Sequence, residues 1–142
     1  MQNNIKILVI TPVSHIKGVK ECLSSIGKVK YFDDPSYNQI LSIIGEYHAV
    51  YTNPNKSKVL ISKELIKNAS KLKVICTAST GLNHIDIKYA KSRGIDILSL
   101  TNQRKIINKI SSTAEHAFAL MISSIRKVNH GWEDVKKGRW DY

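Results

Sequence analysis

Cysteine is scarce in this sequence. Two thiols stand among 142 residues, Cys22 and Cys76, and no C-x-x-C spacing occurs. That excludes a disulfide framework, and a buried, reduced thiol in a cytoplasmic setting is the simplest expectation for each. No metal site is expected. Long apolar runs are also missing. The run Ile5 to Ile10 is too short to span a bilayer, and Met1 to Asn4 before it make no signal peptide, so no membrane partner is expected. Glycine is sparse too, at seven residues, and no two stand within three residues of each other. A G-x-G-x-x-G nucleotide fingerprint is therefore excluded from these 142 residues. No internal repeat and no low-complexity tract is present.

Acidic residues are in deficit, 11 against 22 lysines and arginines, for a net charge of +11. Such an excess raises the question of a nucleic-acid partner. The basic residues are spread through nearly every segment, and no run of five like charges forms a tail. The excess reads as a lysine-rich surface, with no nucleic acid expected.

What the chain does have is alternation. Apolar, β-rich runs start near Ile5, Val29, His48, Lys73 and Asp96. Helical spacing lies between them, over Ile16 to Ile26, Tyr37 to Ile44, Lys58 to Ala69 and Asp86 to Ser92. Gly27, Gly45 and Gly94 follow helical segments as stops. Strands joined by helical crossovers make a parallel sheet wrapped on both faces. The expectation is an α/β fold: a flavodoxin-like five-stranded sheet, order 2-1-3-4-5, over residues 1–101. In such sheets ligands sit beyond the carboxyl ends of the strands.

Residues 102–142 differ. Thr101 to Lys109 is polar and basic without a period. Ser112 and Glu115 have capping-box spacing. A long helix is predicted from Ser112 to Val128, apolar over so much of its surface that it requires cover on more than one side. A shorter helical segment follows from Asn129 toward Tyr142.

The informative stretch is Val74 to Asp86. A buried strand ends at Ala78, a small-residue turn Ser79-Thr80-Gly81 follows, and a helix starts near Asp86. Successive backbone amides in such a turn can converge on a carboxylate or phosphate. Gly81 allows close approach to the backbone. A plain strand-to-helix turn is the competing reading, and Asp86 is then a simple helix N-terminal residue.

The run Ala78-Ser79-Thr80-Gly81-Leu82-Asn83-His84-Ile85-Asp86 resembles the A-G-x-G-x-D-N-I-D loop of D-isomer-specific 2-hydroxyacid dehydrogenases. Leu72 to Ile75, Gly94 to Leu100, Ser112 to His116 and Lys137 to Asp141 are similar to further family elements in the same order. The longer loop after the fifth strand resembles the phosphoglycerate dehydrogenase-like subgroup. Ser79, Asn83 and His84 depart from the family's Gly, Asp and Asn, and His84 falls on a structural position of the family.

The resemblance implies the substrate-binding portion of an NAD-dependent oxidoreductase. It would interconvert a D-2-hydroxy acid and a 2-oxo acid by hydride transfer. Amides around Ser79, Thr80 and Gly81 would hold the substrate carboxylate, with Asn53 on a neighbouring loop. Thr80 and Thr113 would face the nicotinamide. Glu115 and His116 belong to the helix motif, as cap and packing residues. No catalytic residue is expected in this chain, because the family's Arg, Glu and His belong to the absent NAD-binding domain and beyond. Residues 102–142 would lead into that domain. The chain alone is expected to be inactive and to form a homodimer through the 112–128 helix. The alternative is a non-enzymatic flavodoxin-like module that binds an anionic ligand or a protein partner.

Overall fold

The computed structural model describes residues 4–140. The chain divides into two compact units, Met1–Gln103 and Arg104–Tyr142.

The first unit carries five strands: β1 (Lys6–Val9), β2 (Lys28–Tyr31), β3 (Ala49–Thr52), β4 (Val74–Thr77) and β5 (Asp96–Leu98). Four helices stand between them: α1 (Val19–Ile26), α2 (Tyr37–Ile43), α3 (Lys63–Asn68) and α4 (Ile87–Ser92). The strand order is β2-β1-β3-β4-β5. Every pairing is parallel, with Val9 beside Tyr31, Leu8 beside Val50, Thr52 beside Thr77 and Ile75 beside Ile97. This is the α/β sheet, and the order, that the alternation predicts.

Side chains alternate between the two faces of a strand. Leu8, Ile10, Val50 and Ile75 enter one core with Ile40, Ile44, Leu65, Ile66 and Ala90 of the helical side. Burying each of the leucine, isoleucine and valine side chains is worth roughly 1.5–3 kcal/mol before entropy costs. Ile7 and Val9 enter a smaller cluster, against Val19 and Leu23 of α1. Helices therefore cover both faces unequally. Beside α1 the sheet bounds an apolar cavity of about 580 Å³, lined by Ile7, Cys22, Ala49, Tyr51, Cys76 and Leu98 among others.

Helix starts differ from the periodic reading. α3 begins at Lys63, not near Lys58, because the Ser62 hydroxyl accepts the Leu65 amide at 3.2 Å and caps it. Ile61 is held extended instead: its N–H donates to the His84 carbonyl at 2.8 Å, and its own carbonyl accepts the Asp86 amide at 2.9 Å. Leu60, inside the segment Lys58 to Ala69 that has helical spacing, is exposed. α1 begins at Val19, after Gly18 in the left-handed region at φ 84°. Gly27 ends α1, its N–H returning to the Leu23 carbonyl.

The second unit is helical: α5 (Arg104–Ile107), α6 (Ser112–Ile125) and α7 (Val128–Lys136). The polar stretch after β5 thus contains the single turn α5. The long helix ends at Ile125 rather than Val128, because Lys127 adopts a left-handed φ of 51° and α7 starts behind it. The expected capping box on Ser112 is absent. Ser111 is the N-cap residue, without a side-chain cap bond, and its hydroxyl donates to the Glu115 carboxylate. Asp141 and Tyr142, the end of the Trp140-containing segment, lie outside the described residues. Among the described residues no helix is long and apolar enough to cross a membrane.

Candidate functional site

The carboxyl edge of the sheet brings together the ends of β1, β3, β4 and β5. Thr11, Thr52 and Thr77 are buried there, and among the described residues the Thr11 and Thr52 hydroxyls meet no hydrogen-bond partner. The Ala78 amide donates to the Thr52 carbonyl at 3.0 Å, so the turn after β4 leaves the sheet in register with the loop after β3.

The turn Ser79-Thr80-Gly81 is asymmetric in what it offers. All three of its carbonyls are occupied. The Leu100 amide donates to the Ser79 carbonyl at 3.0 Å. The Thr101 hydroxyl donates to the Thr80 carbonyl at 2.8 Å. The Ser79 hydroxyl donates to the Gly81 carbonyl at 2.8 Å. The amides from Ser79 through Leu82, in contrast, donate to no acceptor among the described residues. Buried or structured backbone groups are nearly always paired, with protein, water or ligand. A run of free N–H groups beside occupied carbonyls presents donors only. An anion is the ligand that such a surface suits.

Gly81 is not demanded by backbone strain. Its φ lies outside the left-handed region, and a Cβ built on it would meet nothing within 4 Å. The space above its Cα is open, which leaves room for a ligand atom beside its amide.

Beneath the turn lies a hydroxyl chain. Thr77 Oγ1 is 2.9 Å from Ser79 Oγ and 3.0 Å from His84 Nε2. His84 is buried at 8% exposure, and burial holds its pKa below the ordinary value. Its Nε2 is therefore spent on the turn's support rather than turned to a ligand. Cys76, on the opposite face of β4, has its thiol pushed up by burial and stays protonated at neutral pH.

Asn53 follows β3. Its Oδ1 accepts the Asn55 amide at 3.0 Å, and its carbonyl accepts the amides of Lys56 and Ser57. It builds its own loop, and among the described residues its Nδ2 and its backbone N–H meet no acceptor. Thr113 lies in the first turn of α6 in the second unit, exposed. Asp86 caps α4, its Oδ1 accepting the Tyr89 amide at 3.0 Å. The sequence reading missed Ser99, Thr101 and Thr77. Each is a hydroxyl in a polar or strand context, and its partner stands up to 21 residues away.

Residues 7–119 match the family D-isomer specific 2-hydroxyacid dehydrogenase, catalytic domain. A D-3-phosphoglycerate dehydrogenase of Archaeoglobus fulgidus is 30% identical over 137 residues, which are 96% of this chain and 24% of that one. A solved glyoxylate reductase from Paecilomyes thermophila superposes with a TM-score of 0.80 at 25% identity, covering 98% of this chain and 43% of that one. A D-lactate dehydrogenase from Aquifex aeolicus, solved with NAD and lactic acid, shares the fold at a TM-score of 0.75 and 22% identity, over 96% of this chain and 38% of that one. The chain thus spans about a quarter of the length of the curated relative from Archaeoglobus. With the five-stranded parallel sheet and the matched 113 residues (7–119), the chain belongs to the D-isomer specific 2-hydroxyacid dehydrogenase family, as part of its catalytic domain.

Proposed function

We propose that this chain is the carboxylate-holding part of an oxidoreductase that interconverts a D-2-hydroxy acid and a 2-oxo acid with NAD. The observation that carries the reading is the turn after β4, whose three carbonyls are occupied while its amides are free. Substrates of this class carry a carboxylate next to the reacting carbon. Gripping it leaves that carbon at a set distance from the turn, and positioning of this kind is a large part of catalysis. Ser79, Thr80 and Gly81 form the turn that makes the grip, and Asn53 has its Nδ2 and its backbone amide to contribute. Thr80 and Thr113 are the positions that the resemblance turns toward the nicotinamide.

The residues in hand do not form a dinucleotide cradle. Such a cradle needs closely spaced glycines between a strand and a helix. The β1-to-α1 connection holds a single glycine, Gly18. The dinucleotide cradle for NAD would have to be built by residues other than these 142. His84 is no acid–base group for the reacting oxygen, because it is buried and bonded to Thr77. NAD as the cofactor is supported by the family and by the D-lactate dehydrogenase of the same fold, solved with NAD.

The test is an NADH-linked assay with glyoxylate, pyruvate and hydroxypyruvate. The purified 142-residue chain is expected to show no turnover. Reading the coding region past Tyr142 is expected to give G-x-G-x-x-G followed by Arg, Glu and His, and the longer product is expected to turn over one of these acids. Turnover by the 142-residue chain would contradict the assignment of the chemistry to other residues. A stop codon directly after Tyr142 would favour a binding module instead.

A further inference from the structure

We infer that Thr101 is a positioning residue that aims the Gly81 amide of the anion-binding turn, with the Ser79 hydroxyl doing the same for the Leu82 amide. The inference rests on the carboxylate reading of that turn. A trans peptide unit is planar, and its C=O and N–H point in opposite directions. Fixing one residue's carbonyl therefore aims the next residue's N–H.

Three such fixings are stacked here. The Leu100 amide holds the Ser79 carbonyl and so aims the Thr80 N–H. The Thr101 hydroxyl holds the Thr80 carbonyl and so aims the Gly81 N–H. The Ser79 hydroxyl holds the Gly81 carbonyl and so aims the Leu82 N–H. The donor set is thus Thr80, Gly81 and Leu82, one residue further along than the turn's sequence suggests.

Two of the three fixings are made by side chains and can be removed without touching the backbone. Thr101 is the more telling, because it stands outside the turn and its own hydroxyl is aimed. Ser99 Oγ donates to Thr101 Oγ1 at 3.0 Å and accepts the Thr101 amide at 3.3 Å. The proton of Thr101 is left for the Thr80 carbonyl. Without that bond the Thr80–Gly81 peptide plane is free to turn, and a donor that must be reoriented on binding is worth less than one already aimed. Thr101 is exposed, so replacing it removes little packing.

The experiment is a titration of the ¹⁵N-labelled chain with oxalate, followed by amide shifts. In the wild type, saturable shifts are expected at Thr80, Gly81 and Leu82. Thr101→Val is expected to weaken oxalate by about tenfold, the worth of one hydrogen bond, with the Gly81 response most reduced and the melting temperature unchanged. Thr101→Ser keeps the hydroxyl and is expected to restore binding. Ser79→Ala is expected to reduce the Leu82 response selectively. Equal oxalate affinity in Thr101→Val and the wild type would overturn the role of Thr101 and leave the carboxylate reading standing. Equal loss in Thr101→Ser and Thr101→Val would overturn the hydroxyl as the cause. A wild type without saturable shifts in this turn would overturn the carboxylate reading, and this inference with it.

Discussion

The bond between His84 Nε2 and Thr77 Oγ1, 3.0 Å long, has a direction fixed by its neighbours. The Gly81 carbonyl can only accept, so the Ser79 hydroxyl spends its one proton there. Thr77 must then donate to Ser79, and His84 must donate to Thr77. His84 is consequently the Nε2–H tautomer, with Nδ1 bare. Long-range ¹H–¹⁵N spectra of the imidazole are expected to report a protonated Nε2 in the neutral ring. A neutral Nδ1–H form would break the chain of donors beneath the turn.

Burial also gives His84 a pH signature. Its folded pKa lies below the ordinary value of 6.5. The unfolded chain therefore binds the proton first as pH falls. The stability tied to His84 is complete above about pH 6.5, declines as pH drops below it, and levels off beneath the folded pKa. Urea unfolding of wild type and His84→Asn between neutral and mildly acidic pH checks this. The difference between the two is expected to shift in favour of the variant on acidification. Parallel curves would show that His84 charges as easily folded as unfolded.

Two glycines separate packing from binding. A Cβ at Gly27 would stand 2.4 Å from the Ile5 carbonyl oxygen, on the backbone that leads into β1. Gly27→Ala is expected to cost about 1–3 kcal/mol of stability through forced backbone shifts. Gly81→Ala, with nothing within 4 Å of its Cβ, is expected to change stability by less than about 0.5 kcal/mol. It is expected to weaken oxalate, because the methyl enters the space beside the free amides. The same chemical denaturation series reads both variants.

The second unit exposes Phe118, Leu120, Met121, Ile122 and Ile125 along α6. Contiguous apolar patches beyond a few hundred Å² are rare on monomers. The chain is expected to self-associate through this helix, as a homodimer, and Met121→Lys is expected to shift it toward monomer in light scattering. A wild type that is monomeric at micromolar concentration, or a dimer indifferent to Met121→Lys, would remove α6 from the interface.

Much of this was legible in the sequence for physical reasons. Parallel strands are buried on both faces, so Ile7 to Ile10 and Val74 to Ile75 read as continuous apolar runs between turn residues. The turn after β4 was legible as small residues at a strand's end. Its supports were not. Thr101 sits in a polar stretch without period, and only the fold brings its hydroxyl to Thr80, 21 residues back. Leu60 and Ile61 have helical spacing to Leu65 and Ile66, but the bonds from Ile61 to His84 and Asp86 keep that segment extended. The break at Lys127 is a left-handed lysine, and no glycine or proline announces it.

The most direct measurement is a crystal structure of this chain with oxalate. The account predicts one carboxylate of oxalate within about 2.7–3.2 Å of the Thr80, Gly81 and Leu82 amide nitrogens, the ordinary hydrogen-bond range, with the Thr101 hydroxyl still on the Thr80 carbonyl. Oxalate bound elsewhere on the chain, with those three amides facing water, would contradict it.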